Sequence, residues 1–210
     1  MTAGSSDDER ADALRGTLGA LRRRVDDFFA AAERAGGLVC RRGCDACCRV
    51  GLTVGPLEAD ALRSALAALP PPTRAELAAR SADAEVRAGQ RCVFLGESGE
   101  CTVYDDRPLV CRSQGLALSY ALEAQADLPD VPLAALRGRA GEKGVVACPL
   151  NYGEGLPGGE YVLDADRVDE ILAQLQLAWA RLRALPPLRR VALRELAAGA
   201  PAIAGLDGDG

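Results

Sequence analysis

The chain has 210 residues, 49% of them hydrophobic but only 4% aromatic, carries a formal net charge of -5, and contains eight cysteines and no histidine. That length fits one domain over residues 1–210, and the negative balance speaks against a surface for bare phosphate backbone, so nucleic acid is not expected as a partner. No apolar run is long enough to span a bilayer and residues 1–10 lack the basic and apolar regions of a secretory signal, so no membrane association and a reducing, cytoplasmic location are expected.

The first predicted element is a helix over residues 7–34, where Leu14, Leu18, Leu21, Val25, Phe28 and Phe29 return at three- and four-residue intervals before Gly36-Gly37. The stretch Cys40-x3-Cys44-x2-Cys47-Cys48 follows at once and, with Gly43 inside it, reads as an irregular loop. Pro56 suits the first turn of a second helix through Leu57, Ala61, Leu62 and Leu66 to Leu69, which Pro70-Pro71-Pro72 ends. Thr73-x-x-Glu76 has the spacing of a capping box, in which the hydroxyl accepts from an early backbone N–H and the carboxylate reaches back. A third helix is therefore expected to run to about Ala88 and to pair with the second as a helical hairpin.

Two short β-favouring runs, residues 91–95 and 100–104, flank Gly96-Glu97-Ser98-Gly99 and predict a small hairpin with a cysteine on each strand. Arg107-Pro108 then opens another helical segment through Cys111 and Arg112. Residues 121–146 show a weak pattern and are read as a peripheral excursion, and residues 160–163 as a strand. Val168, Ile171, Leu172, Leu175, Trp179 and Leu182 form a helical stripe beginning after Asp164 or Asp166. With a short helix through Leu196 after Pro186-Pro187, residues 164–198 make the C-terminal helices and 199–210 a disordered tail. The expected fold is mainly α with a small β-hairpin, an α+β chain in which irregular cysteine-rich metal-binding loops, residues 40–151, pack among helices.

Beyond the first four cysteines stand Cys92, Cys101, Cys111 and Cys148. In a reducing compartment this density points to thiolate-bound metal rather than to a disulfide framework, which belongs to small secreted domains. Structural zinc takes four Cys or His ligands in a tetrahedron, so eight cysteines supply two all-thiolate sites; four could equally hold an iron–sulfur cluster, with the rest on zinc or partly spare. Adjacent Cys47 and Cys48 are expected to point apart and to serve different metals, or to leave one thiol free, and the ligand pairing stays open. Arg41, Arg49, Arg91 and Arg112 adjoin cysteines, where a guanidinium favours the ionised thiol. Tyr104, Arg107 and Arg112 lie between or beside Cys101 and Cys111 and are candidates to support the ligands, by donating toward sulfur or pairing with acidic neighbours. A full thiolate shell closes the site to water, so hydrolysis is disfavoured.

Three suggestive patterns are set aside. Cys40-x3-Cys44-x2-Cys47 has the spacing of a radical-SAM triad, but the chain lacks the strand–helix repeats of a partial barrel and carries Ala46 where that motif has an aromatic. Gly153-x-Gly155-x-x-Gly158 matches a dinucleotide fingerprint in letters, yet Pro157 lies inside it and a strand, not a helix, follows. Asp105-Asp106 beside Arg107 reads as a solvated turn rather than an acid–base pair.

As a set, Cys40-x3-Cys44-x2-Cys47-Cys48, Cys92-Val-Phe-Leu, Cys101-x-Val-Tyr104, Arg107-Pro108-x-x-Cys111-Arg112 and Cys148-Pro-Leu-Asn151 resemble the YkgJ-type cysteine-cluster family, described as zinc- or iron-chelating. The first motif has three residues between its leading cysteines where the family's has two. The resemblance implies metal chelation by the cysteines, in a structural or sensory role, with no defined reaction. Some relatives are labelled iron–sulfur oxidoreductases, and a related cluster looks like part of flagellin lysine methylases. The alternative implied is thus an iron–sulfur oxidoreductase or methyl-transfer component acting on a protein partner.

Overall fold

The structure, a computed structural model, describes residues 3–121, 134–136, 143–153, 155–186 and 189–199. It is mainly helical with small sheets. The helices are α1 (Ala3–Ala35), α2 (Pro56–Ala68), α3 (Pro71–Arg80), α4 (Ala84–Arg87), α5 (Leu109–Ser113), α6 (Ala165–Leu182) and α7 (Leu193–Ala197). The strands are β1 (Thr53–Val54), β2 (Ala117–Ala121), β3 (Ala134–Leu136), β4 (Lys143–Ala147), β5 (Val162–Asp164) and β6 (Val191–Ala192). Contacts gather into two compact units, the first made of Met1–Gly16, Arg42–Pro108 and Leu175–Gly210, the second of Thr17–Arg41 and Leu109–Gln174.

In the first unit, Val54, Leu62, Leu66, Leu77, Val86, Val93, Phe94, Val103, Leu193 and Leu196 form one apolar core, with Cys92 inside it and Cys48 and Cys101 packed on its edge. α2 starts at Pro56, where the missing N–H is one the helix leaves unpaired anyway. Gly55 offers no side-chain cap, and the Leu57 N–H is instead accepted by the Gln176 side-chain oxygen from α6 at 2.7 Å. β1 and β6 pair antiparallel, and Arg190 donates to the Thr53 carbonyl at 2.6 Å beside them. Arg15 pairs with Asp60 at 2.9 Å, and Arg15 and Arg183 each lie 5.0 Å from the Trp179 ring centroid. Among the described residues, no helix is long and apolar enough to cross a membrane.

Two expectations are corrected in this unit. The third helix does not start at a Thr73 capping box: it starts at Pro71, with Pro70 before it, and stops at Arg80, and the separate α4 accounts for residues up to Arg87. Fixed proline φ values pre-form the first turn, so the threonine is already inside the helix. The hairpin of residues 91–104 condenses to a single antiparallel bridge, Leu95 to Cys101, closed by Gly96 N–H to Glu100 O at 2.8 Å and Thr102 N–H to Phe94 O at 2.8 Å.

In the second unit a four-stranded sheet has the order β3-β4-β2-β5, antiparallel except where β2 and β5 run parallel. Alternation along the chain sends Leu116 and Leu118 to a cluster with Ala32, Phe28 and Leu163, and sends Ala117 to another with Ala147 and Tyr152. The stretch read as an excursion thus supplies β2's end, β3 and β4; its residues 122–133 and 137–142 lie outside the described residues, as do 200–210 of the tail. Between α6 and α7 the chain passes through β6, so residues 164–198 are two helices and a strand rather than helices alone.

Candidate metal centre

The first unit holds Cys44, Cys47, Cys48, Cys92 and Cys101; the second holds Cys40, Cys111 and Cys148. All eight are free thiols in the structure.

In the first unit, Cys47 and Cys48 sit on a 3-10 turn, Ala46–Cys48, whose last N–H donates to Asp45 O at 2.8 Å. Arg49 holds the Asp45 carboxylate at 2.5 Å. The turn is tied to the next cysteine through the backbone, since the Cys92 N–H donates to Cys48 O at 2.8 Å. A left-handed Gly99 (φ +82) lets the 96–100 turn lie against the same loop, where a Cβ would stand 3.2 Å from Gly43 O.

Burial and neighbouring charges shift the thiols of this unit. The Cys47 thiol is pushed up first by its hydrogen bond with the Cys48 side chain, then by lost hydration and the Cys48 charge, while Arg107 opposes the rise. Cys47 and Cys48 share one tight 3-10 turn rather than an extended segment, which keeps the two side chains within reach of each other. Cys92 is pushed up to about 11, mainly by burial, and it feels the charges of Cys101 and Cys47. Cys101 is also raised by burial and by Cys47. Each of these two sulfurs accepts from a backbone N–H two residues on, Phe94 for Cys92 and Val103 for Cys101, and Leu95 adds a second donor to Cys92. Such donors favour the thiolate, the form that binds metal.

Of the proposed supporting residues, Tyr104 acts through stacking: its ring is held between Arg42 at 4.1 Å and Arg107 at 3.9 Å. Arg42 also pairs with Asp105 at 3.0 Å. Both guanidiniums lower the Cys101 pKa against burial, so the stack places two cations beside that sulfur. Arg42 escaped the sequence reading, because nothing in its spacing shows that it reaches residue 104. Arg112, in the second unit, is buried and bonds Asp26 at 2.5 Å.

In the second unit, Cys111 is carried by α5, Cys148 opens a turn whose Asn151 N–H donates to Cys148 O at 2.9 Å, and Cys40 follows the loop after α1. Asn151, 5% exposed, organises this region: its Nδ2 donates to Gly115 O at 2.6 Å and to Cys40 Sγ at 3.4 Å, while its Oδ1 accepts from Val39 N–H at 3.0 Å. Tyr152 takes a left-handed backbone (φ 59) held at both ends, by its N–H to Gly37 O and by its hydroxyl, which accepts from Ala117 N–H at 3.2 Å. Burial raises the Tyr152 pKa, and the Cys40 charge adds to the rise. In the sequence Asn151 stands only as the end of Cys148-Pro-Leu-Asn151; its role becomes visible once strand β2 and the loop after α1 meet.

The donor chemistry of these residues fits a thiophilic metal: sulfur ligands, backbone N–H groups on sulfur and neighbouring guanidiniums. The geometry is open, since among the described residues no group of three or more His, Cys, Asp or Glu side chains closes around a common point.

Residues 39–128 match the family model CxxCxxCC, described as "Putative zinc- or iron-chelating domain". This is the YkgJ-type family the motifs resemble, and the matched segment contains every cysteine from Cys40 to Cys111. The match supports metal binding, with a metal ion as partner. No curated protein and no solved structure matches the chain.

Proposed function

We propose that the chain is a metal-binding protein whose cysteines hold zinc or an iron–sulfur cluster in a structural or sensory role. The observation that supports this reading is the packing of Cys48, Cys92 and Cys101 about one core, with the Cys92 N–H donating to Cys48 O at 2.8 Å and Cys47 on the same turn as Cys48. All eight cysteines are candidate ligands, Cys44, Cys47, Cys48, Cys92 and Cys101 in the first unit and Cys40, Cys111 and Cys148 in the second, with their pairing left to the metal content of single variants. Zinc would supply a cross-link without redox chemistry, and an iron–sulfur cluster would add a one-electron couple. Four thiolates leave no open coordination position, which favours structure or sensing over hydrolysis.

A second reading, an oxidoreductase or methyl-transfer component acting on a protein partner, draws on the solvent exposure of Cys47, through which a cluster would be reachable. Elemental analysis and an absorption spectrum of oxygen-protected protein separate the two. Colourless protein with stoichiometric zinc is expected for the structural reading, and a broad band near 400 nm with iron and sulfide for the redox one; protein with neither metal contradicts both.

A further inference from the structure

Within the first unit, a cavity of about 200 Å³ is walled by β1, the end of α4, the residues leading into Cys92, and β6 with the start of α7. Its charged lining consists of Arg87, Arg91 and Arg194, and no Asp or Glu contributes to it. In a chain with more acidic than basic residues, three arginines sharing one cavity without a carboxylate is an unusual local balance. Arg87 and Arg194 are exposed, and neither is among the described residues that hold a further ion pair. Arg91 is fixed, since its Nη2 donates to the carbonyls of Leu95 and Gly96, both at 3.2 Å. Its Nε is buried with no hydrogen-bond partner among the described residues. Arg190 adds a fourth cation beside the rim, where it donates to the side chain and carbonyl of Thr53.

We propose that this cavity binds a small phosphate-type dianion. Guanidinium groups present planar pairs of donors that match oxyanions, and three of them approaching from separate elements suit an ion with several oxygens better than a two-oxygen carboxylate. The volume lies below the roughly 300–1,000 Å³ of sites for drug-sized ligands, so the occupant is free phosphate or a short phosphate monoester rather than a nucleotide. Because Cys92 forms part of the wall, the ligand would sit beside a proposed metal-binding residue, although the binding itself rests on the arginines.

The test is calorimetric titration of the full chain, its metal content measured beforehand, with inorganic phosphate, glycerol phosphate and acetate at one constant ionic strength. Saturable one-to-one binding of phosphate or glycerol phosphate is expected, the tighter of the two identifying the source of the group, with acetate markedly weaker. Arg87→Ala and Arg194→Ala should each weaken binding about tenfold, as loss of a charge-assisted contact does. Arg74→Ala, away from this cavity, should leave it unchanged. Equal responses to acetate, or phosphate affinity that survives the Arg87→Ala/Arg194→Ala double change, would overturn the proposal; the latter would place the anion on a bound metal instead.

Discussion

At Gly115 the backbone is left-handed (φ +97) and a Cβ would run into the Cys40 sulfur. Alanine there combines backbone strain with displacement of a proposed ligand, so Gly115→Ala is expected to cost about 1–3 kcal/mol, measurable as a lowered denaturation midpoint. An unchanged midpoint would show that the loop carrying Cys40 yields freely. Cys92 supplies a second test at this scale. Its thiol is raised from 9.0 to about 11, chiefly by burial, so folding favours the protonated form. In metal-free protein that contribution is complete below pH about 9 and is lost as pH climbs toward 11, with Cys101 and Cys47 shifted the same way. Denaturant melts of chelator-treated protein should lose stability across that window, and Cys92→Ala should flatten the loss; a wild-type midpoint independent of pH between 9 and 11 would contradict it. In the metal-bound protein protons compete with the ion, so affinity should rise with pH instead.

Among the elements, α1, α2 and α6 were legible because apolar residues recur at three- and four-residue spacing and prolines or acids mark their starts. The sheet of the second unit was not. β2 and β4 contain three alanines, a glycine and a lysine among their ten residues, which are poor strand formers, and their pairing joins residues more than twenty positions apart. Only that pairing, with Leu118 and Ala117 buried on opposite faces, makes them strands. The cap of α2 was equally hidden, since its acceptor, Gln176, lies 119 positions away. Replacing Gln176 with Ala leaves the buried Leu57 N–H unpaired and should cost about 1–3 kcal/mol in a thermal melt, while Gln176→Glu should recover part of it by restoring an acceptor. Equal losses in both variants would assign the effect to packing rather than to the cap.

For the molecule as a whole, the eight thiols stand in the sequence and their motifs carry the family resemblance that the match over residues 39–128 bears out, whereas the grouping of sulfurs was not legible. Two runs of sequence 44 positions apart, at Cys48 and Cys92, are joined by one backbone hydrogen bond, and Arg42 reaches Tyr104 across 62 positions. Bound metal would matter greatly to such a chain, because ligation of structural zinc is worth about 10–16 kcal/mol at neutral pH, comparable to the whole stability of a domain, about 5–15 kcal/mol. The most direct test of the central claim is the metal content of oxygen-protected protein, measured for the native chain and for a Cys47→Ser/Cys92→Ser/Cys101→Ser variant. Stoichiometric zinc or iron in the native chain and its loss, together with a lower melting temperature, in the variant are the predicted result; equal metal content in both would contradict the account.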